Sequence, residues 1–261
     1  MELGLAGKKA IVTGGSGGIG AAIAAELARE GVDLCLVATD AARLDEAAAQ
    51  AGQRGTAQIM RHATDLRQPQ AAAEAVDAAL ARFGRLDILV NCAGATKRGD
   101  FFGMTEADWD DGFDLKFRGA VRMIRHAWPH LRQAQGCVLN IIGVGGWSAS
   151  EEFSIGGSVN AALLHFTKVM AAIGLHDGVR VNALNPGRIQ TGRLARNIDR
   201  IAALQGISVQ EASAEVLRSC GIRRFGQPEE ISAVAAFMLS ERASYLQGAL
   251  VDVDGGQTRS L

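Results

Sequence analysis

Lys9-Ala10-Ile11-Val12-Thr13-Gly14-Gly15-Ser16-Gly17-Gly18-Ile19-Gly20 is the stretch that decides how this sequence folds. Its first five residues, mostly apolar, read as a buried strand. Five glycines follow, and then Ile23, Leu27 and neighbouring alanines fall on one helical face with Glu26, Arg29 and Glu30 on the other, before Gly31 stops the helix. Glycines let the chain turn tightly and bring its backbone against a phosphate with no Cβ between them. The helix amino terminus adds unpaired N–H groups and a positive dipole end. Strand, glycine turn and helix in that order read as a dinucleotide site.

Further apolar runs recur along the chain at 34–39, 58–64, 86–91, 137–142, 179–184 and 249–253, separated by Ala-rich stretches of helical spacing. This alternation predicts an α/β fold: a doubly wound, Rossmann-type parallel sheet of seven strands with helices on both faces. There is no repeat or linker, so 1–261 is expected to be one domain. Residues 188–224 depart from the pattern, inserting helices at about 194–205 and 208–219 as a lid.

With 48% hydrophobic and 5% aromatic residues among 261, the core must be built from Val, Ile, Leu and Ala. A net charge of −1 gives no reason to expect nucleic acid. No signal peptide and no run of membrane-span length is visible. The four cysteines, Cys35, Cys92, Cys137 and Cys220, have neither metal nor disulfide spacing. These features together imply a reducing, cytoplasmic setting. His126 and His130 are four apart, but Pro129 lies between them and no third ligand follows, so no metal is expected.

Thr13-Gly14-x-x-x-Gly18-Ile19-Gly20 resembles the glycine signature of the short-chain dehydrogenase/reductase family, and the likeness extends along nearly the whole chain. Asp65-Leu66, Asn91-Cys92-Ala93-Gly94, Asn185-Pro186-Gly187, Thr191, the run 224–230 and Asp254-Gly255-Gly256 resemble its later motifs. The resemblance implies that NAD or NADP is held by Gly14, Ser16, Gly18, Ile19, Gly20, Thr39, Asp65, Leu66, Asn91, Ala93, Gly94, Asn160, Pro186, Gly187, Ile189 and Thr191. At the end of the second strand an acid would bind the ribose hydroxyls and a base a 2′-phosphate. The family's acid position falls on Ala38 and its basic positions on Thr39 and Gly17, with Asp40 slightly late. The missing acid at Ala38 favours NADP.

The family reduces or oxidises carbonyl/alcohol pairs with an Asn–Ser–Tyr–Lys tetrad. Here those positions fall on Lys116, Gly143, Gly156 and Asn160, and the only tyrosine is Tyr245. Asn and Lys have exchanged places, and both hydroxyl side chains have become glycine. The two glycines imply a widened cleft. The favoured reading is an oxidoreductase in which Lys116 gives the proton or stabilises a developing alkoxide, its pKa lowered by burial, while Asn160 bonds the ribose or substrate. Ser158, with Ser148 and Ser154, is a candidate for the lost hydroxyls. The alternatives are a lyase or isomerase on the same fold, and a redox-inert nucleotide binder or sensor.

Thr105, with Asp108 three residues on, reads as the cap of the helix carrying Lys116. Two loops expected at the carboxyl ends of the strands are basic, Lys97-Arg98 and Arg188, Arg193, Arg196 and Arg200, which suits a small-molecule substrate carrying negative charge. His165 is expected in the core or at an interface. The resemblance also implies pairing through the two site helices into a dimer or tetramer.

Overall fold

A computed structural model describes residues 2–259. Seven strands form one parallel sheet in the order β3-β2-β1-β4-β5-β6-β7. They are β1 (Lys9–Thr13), β2 (Asp33–Ala38), β3 (Ile59–Ala63), β4 (Ile88–Asn91), β5 (Cys137–Ile141), β6 (Arg180–Pro186) and β7 (Leu250–Val253). The strand order reverses between β1 and β4, and there the crossovers leave to opposite faces and open a crevice at the carboxyl ends.

The near-continuous apolar strands are explained by burial on both sides, and successive residues enter opposite layers. Ala10, Val12, Leu34, Leu36, Ile88 and Val90 pack with helices α1 (Gly18–Arg29), α2 (Ala41–Gly52) and α9 (Pro228–Leu239). Ile11, Cys35, Val37, Leu89 and Val138 face the other way, against α3 (Ala71–Phe83) and α5 (Gly119–Ala134). On that second side α6 (Ser154–Asp177) runs along β6.

One helix bears on the expectation of no membrane span. The helical segment Glu151–Asp177 is long and apolar enough, by length and composition alone, to cross a membrane. Its inner face, including Ile155, Val159, Leu163 and Thr167, belongs to the protein core, while Val169, Ile173 and Leu175 are exposed.

Helix α4 (Glu106–Gly112) begins with the capping box expected from Thr105, whose hydroxyl accepts from the Asp108 amide at 3.2 Å while the Asp108 carboxylate takes the Thr105 amide at 2.9 Å. It leads through a π-helical turn, Phe113–Arg118, into α5. Such a turn inserts one extra residue and re-aims its side chains, and Lys116 lies within it. The insertion after β6 contains α7 (Gly192–Gln205) and α8 (Val209–Cys220), which pack on each other through Leu194, Ile198 and Ala212.

The crevice at the β1/β4 reversal is held open by one hydroxyl. Thr13 Oγ1 donates to the Val90 carbonyl at 3.3 Å and accepts from the amides of Cys92 at 3.0 Å and Ala93 at 3.1 Å. Thr13→Val keeps the shape but leaves two partly buried amides without an acceptor. It is expected to cost about 1–3 kcal/mol, read as a lower urea midpoint with an unchanged slope; an unaltered midpoint would show that the loop relaxes to other acceptors.

Candidate active site

The site begins with the glycines. Gly14 adopts φ +67°, and a Cβ there would lie 2.9 Å from the Ala93 amide nitrogen, so the two loops flanking the crevice touch through backbone alone. At Gly20 a Cβ would lie 2.2 Å from the Gly14 carbonyl oxygen, which is why α1 can start directly under the turn. Gly18 is exposed and faces the Thr191 methyl group across the crevice, while Ser16 and Ile19 are half-buried in the turn. Ala93, Gly94 and Thr191 line the same opening, with Pro186 and Ile189 buried behind it and Gly187 packed on Asp254. A backbone cradle that any Cβ would fill fits a dinucleotide pyrophosphate.

Other expected cofactor residues are engaged by the protein. Asn91 is buried and donates to Asn140 Oδ1 at 2.9 Å, and Asn140 continues to Thr167 at 2.9 Å. The Asp65 carboxylate is held by the Arg67 side chain at 3.1 Å, and Leu66 is buried. Thr39 is exposed beside Asp40, whose carboxylate caps α2 by accepting from the Arg43 amide at 3.1 Å. That contact engages Oδ1 alone, and Oδ2 has no partner among the described residues. A residue the sequence reading missed lies here too: a Cβ on Gly17 would collide with the guanidinium of Arg43. Arg43 is exposed and forms no ion pair among the described residues. Nothing in the sequence signals it, since it sits a helical turn beyond the usual position.

The exchanged pair meets. Lys116 Nζ donates to Asn160 Oδ1 at 2.6 Å and to the Ile142 carbonyl at 2.6 Å. Asn160 is buried, and its Nδ2 donates to the Gly143 carbonyl at 3.4 Å. Gly94 permits the approach, because a Cβ there would stand 2.9 Å from the lysine Cδ. Burial pushes the Lys116 ammonium down to about 7, and the positive charge of Arg193 adds to the fall. Arg193 lies on α7 and donates to the Gly94 carbonyl across the crevice. The neighbouring Cys92 thiol is pushed up to about 11 by burial, so it is no nucleophile at neutral pH.

Two expectations need correcting. Ser158 does not replace a lost hydroxyl. Two residues from Asn160 on a helix it points about 200° away, and it is exposed and makes no hydrogen bond to Lys116 or Asn160. Ser148 is exposed as well, and Ser154 Oγ is buried without a partner. Nor do the glycines widen the cleft. A Cβ on Gly156 would lie 2.0 Å from the Phe153 ring, and one on Gly145 would lie 2.7 Å from it and 3.6 Å from Asn160 Nδ2. Phe153 occupies the space where a tyrosine would leave the helix. Gly143 has φ +121°, a conformation that a serine rarely adopts.

The basic loops divide. Lys97 pairs with Asp108 at 2.7 Å and Arg200 with Glu152 at 2.6 Å, and Arg196 stays exposed. Arg98 instead lies 3.9 Å above the centroid of the Phe153 ring. His126 is exposed, and no group of metal ligands occurs among the described residues.

A family model described as enoyl-(acyl carrier protein) reductase matches residues 14–258. An uncharacterized oxidoreductase of Mycobacterium tuberculosis is 34% identical over 256 residues, covering 96% of this chain and 92% of that protein. The short-chain reductase protein NovJ of Streptomyces niveus is 34% identical over 251 residues, covering 95% and 93%. The structure of L-sorbose reductase from Gluconobacter frateurii, complexed with NADPH and L-sorbose, matches with a TM-score of 0.95 and 32% identity over 100% of both chains.

The buried lysine gives a test through stability. Its ordinary value is 10.5, so between pH 7 and 10.5 the unfolded chain holds a proton that the folded chain does not. Folded stability therefore gains from this group as pH rises through that window, and below it the burial penalty is complete. Lys116→Met removes the dependence. The melting temperature of the variant minus that of wild type is expected to be largest below pH 7 and to shrink steadily towards pH 10; a difference that ignores pH would mean the ammonium is not desolvated.

Proposed function

The chain belongs to the short-chain dehydrogenase/reductase family, and from that premise we propose that it is an NADP(H)-dependent oxidoreductase acting on a carbonyl/alcohol pair, with Lys116 in place of the usual tyrosine as proton donor. The observation that carries this reading is the Lys116 ammonium held between two carbonyl oxygens beside the glycine cradle. An ammonium has three N–H groups. Two are spent on Ile142 and Asn160, which leaves one for a substrate oxygen, and the neutral amine keeps both fixed bonds after the third proton has left. A pKa of about 7 places that proton where a general acid works best near neutral pH. When bound, the reduced nicotinamide supplies the hydride. Lys116 supplies the proton, so a carbonyl is reduced to an alcohol.

Two arginines assist in this proposal. Arg193 adds to burial in raising the acidity of Lys116 and, through Gly94, pins α7 over the crevice, so that α7 and α8 act as the lid within a single domain. Arg43 favours NADP over NAD, because its guanidinium stands at the glycine turn while Asp40 is occupied in capping α2.

Cofactor choice is checked by fluorescence titration. Arg43→Ala is expected to weaken NADPH binding by roughly 10- to 100-fold, the loss of a charge-assisted hydrogen bond, and to leave NADH binding unchanged; equal effects on both cofactors would remove Arg43 from the 2′-phosphate.

Turnover is checked by NADPH oxidation over a panel of carbonyl compounds. Lys116→Met should bind NADPH as wild type does and lose roughly 10²–10⁴ in kcat. In Arg193→Ala the loss of a neighbouring positive charge raises the lysine pKa, so the alkaline limb of the rate profile, where the acid form is lost, should move to higher pH. An unmoved limb would assign it to another group. The redox-inert reading has one specific support, the Phe153 ring in the tyrosine's place, and NADPH binding without oxidation by any carbonyl would favour it.

A further inference from the structure

Neither Arg98 nor Arg188 is engaged through its side chain by a carboxylate or a carbonyl among the described residues. Both line one cavity of about 320 Å³, together with Glu152, Asn197, Ile201 and Val216. Arg188 Nε is buried and has no hydrogen-bond partner. Arg98 rests on the Phe153 ring at 3.9 Å, held by the attraction of a cation to a π face.

The cavity lies across the Phe153 ring from the Lys116 site. Lys116 holds Asn160 at 2.6 Å, and the vacant Cβ position of Gly145 touches both Asn160 Nδ2 and the Phe153 ring. Arg98 covers that ring from the cavity side. A molecule with its carbonyl at Lys116 that extends past the edge of this ring would meet Arg98 and Arg188.

The lining carries two arginines, Arg98 and Arg188, and two glutamates, Glu151 and Glu152, and the ion pair made by one glutamate tips the balance. Arg200 neutralises Glu152 at 2.6 Å, and Glu151 is exposed at the rim. With Glu152 paired, Arg98 and Arg188 outweigh Glu151 and leave the lining positive. Two guanidinium groups without partners are costly to enclose, and like charge between Arg98 and Arg188 adds to burial in pushing Arg98 down to about 10. An anion relieves both costs. Guanidinium forks match the planar geometry of a carboxylate, and Ile201 and Val216 suit an apolar body behind it.

We infer that this cavity is an anion subsite in which Arg98 and Arg188 grip the carboxylate of the substrate, so that the protein acts on carbonyl compounds carrying a carboxylate on an apolar frame. The inference rests on the carbonyl reading of Lys116 only for what lies at the other end of that molecule.

Isothermal titration of the NADPH-loaded protein with benzoate and with its neutral isostere benzamide tests it at low ionic strength. Benzoate is expected to bind saturably and benzamide at least roughly ten-fold more weakly. Arg98→Met and Arg188→Met should each lose most of the benzoate affinity, Arg188→Lys should recover part of it, and Arg196→Ala should change nothing. NADPH affinity, unchanged in every variant, reports that the fold is intact. Lys116→Met should bind benzoate normally while failing to oxidise NADPH, which separates this inference from the proton-donor reading. Equal binding of benzoate and benzamide, or wild-type benzoate affinity in both methionine variants, would overturn the subsite.

Discussion

The arrangement of this site depends on how one ammonium is satisfied away from water. A lysine beneath a backbone turn must find oxygen acceptors or lose its proton, because desolvation disfavours the charged form. Lys116 does part of each, bonding Ile142 and Asn160 while its pKa falls to about 7. Several neighbours follow from that need. Gly94 has no side chain because the lysine stem passes under it, Asn160 turns its oxygen towards Lys116, and the π turn at 113–118 aims the side chain inward. Asn160 Nδ2 then reaches the Gly143 carbonyl, so the loop after β5 is tied to the same group.

The sheet supplies the rigid side of this arrangement. Thr13, at the end of β1, gathers the backbone at the end of β4, and Gly14 lets the two loops touch. The result is a crevice whose walls are main chain on the cofactor side and side chain on the substrate side. Main-chain walls recognise phosphate through N–H groups and tolerate little change, while side-chain walls can be rewritten. This division accounts for a chain that keeps its glycine signature on the cofactor side and carries Lys116, Gly143, Gly156 and Asn160 on the other.

Much of this was legible in the sequence, for physical reasons that can be named. Strands buried on both faces leave continuous apolar runs, and a glycine turn between strand and helix has few other uses. The Lys116–Asn160 pair could be read because two segments of known packing each carried one change. Phe153 could not be read. It lies three residues before Gly156, and only the packing shows that its ring turns into the space left by the missing side chain. Arg43 escaped for a similar reason, since its reach to Gly17 depends on how α2 starts after Asp40. Ser158 was misplaced by counting residues without counting degrees around the helix.

A site that had merely decayed would be expected to relax towards apolar, well-packed alternatives, since enclosed charges without partners lower stability. This one retains a desolvated lysine, a glycine at φ +121° and a buried guanidinium nitrogen of Arg188 without a partner. Each departs from the rule that local preference and packing should agree, and such departures gather at working sites. They also share a direction. The tyrosine–lysine arrangement keeps one cation on α6 below a neutral phenol. Here the cation enters from the helix before β5, and guanidinium groups stand beyond the ring that fills the phenol's space. In the proposed reading, the electrostatic centre of the pocket lies towards the substrate side. A positive field there would act on the charge carried by the substrate and on the oxygen that becomes an alcohol, so recognition and proton transfer would draw on one source.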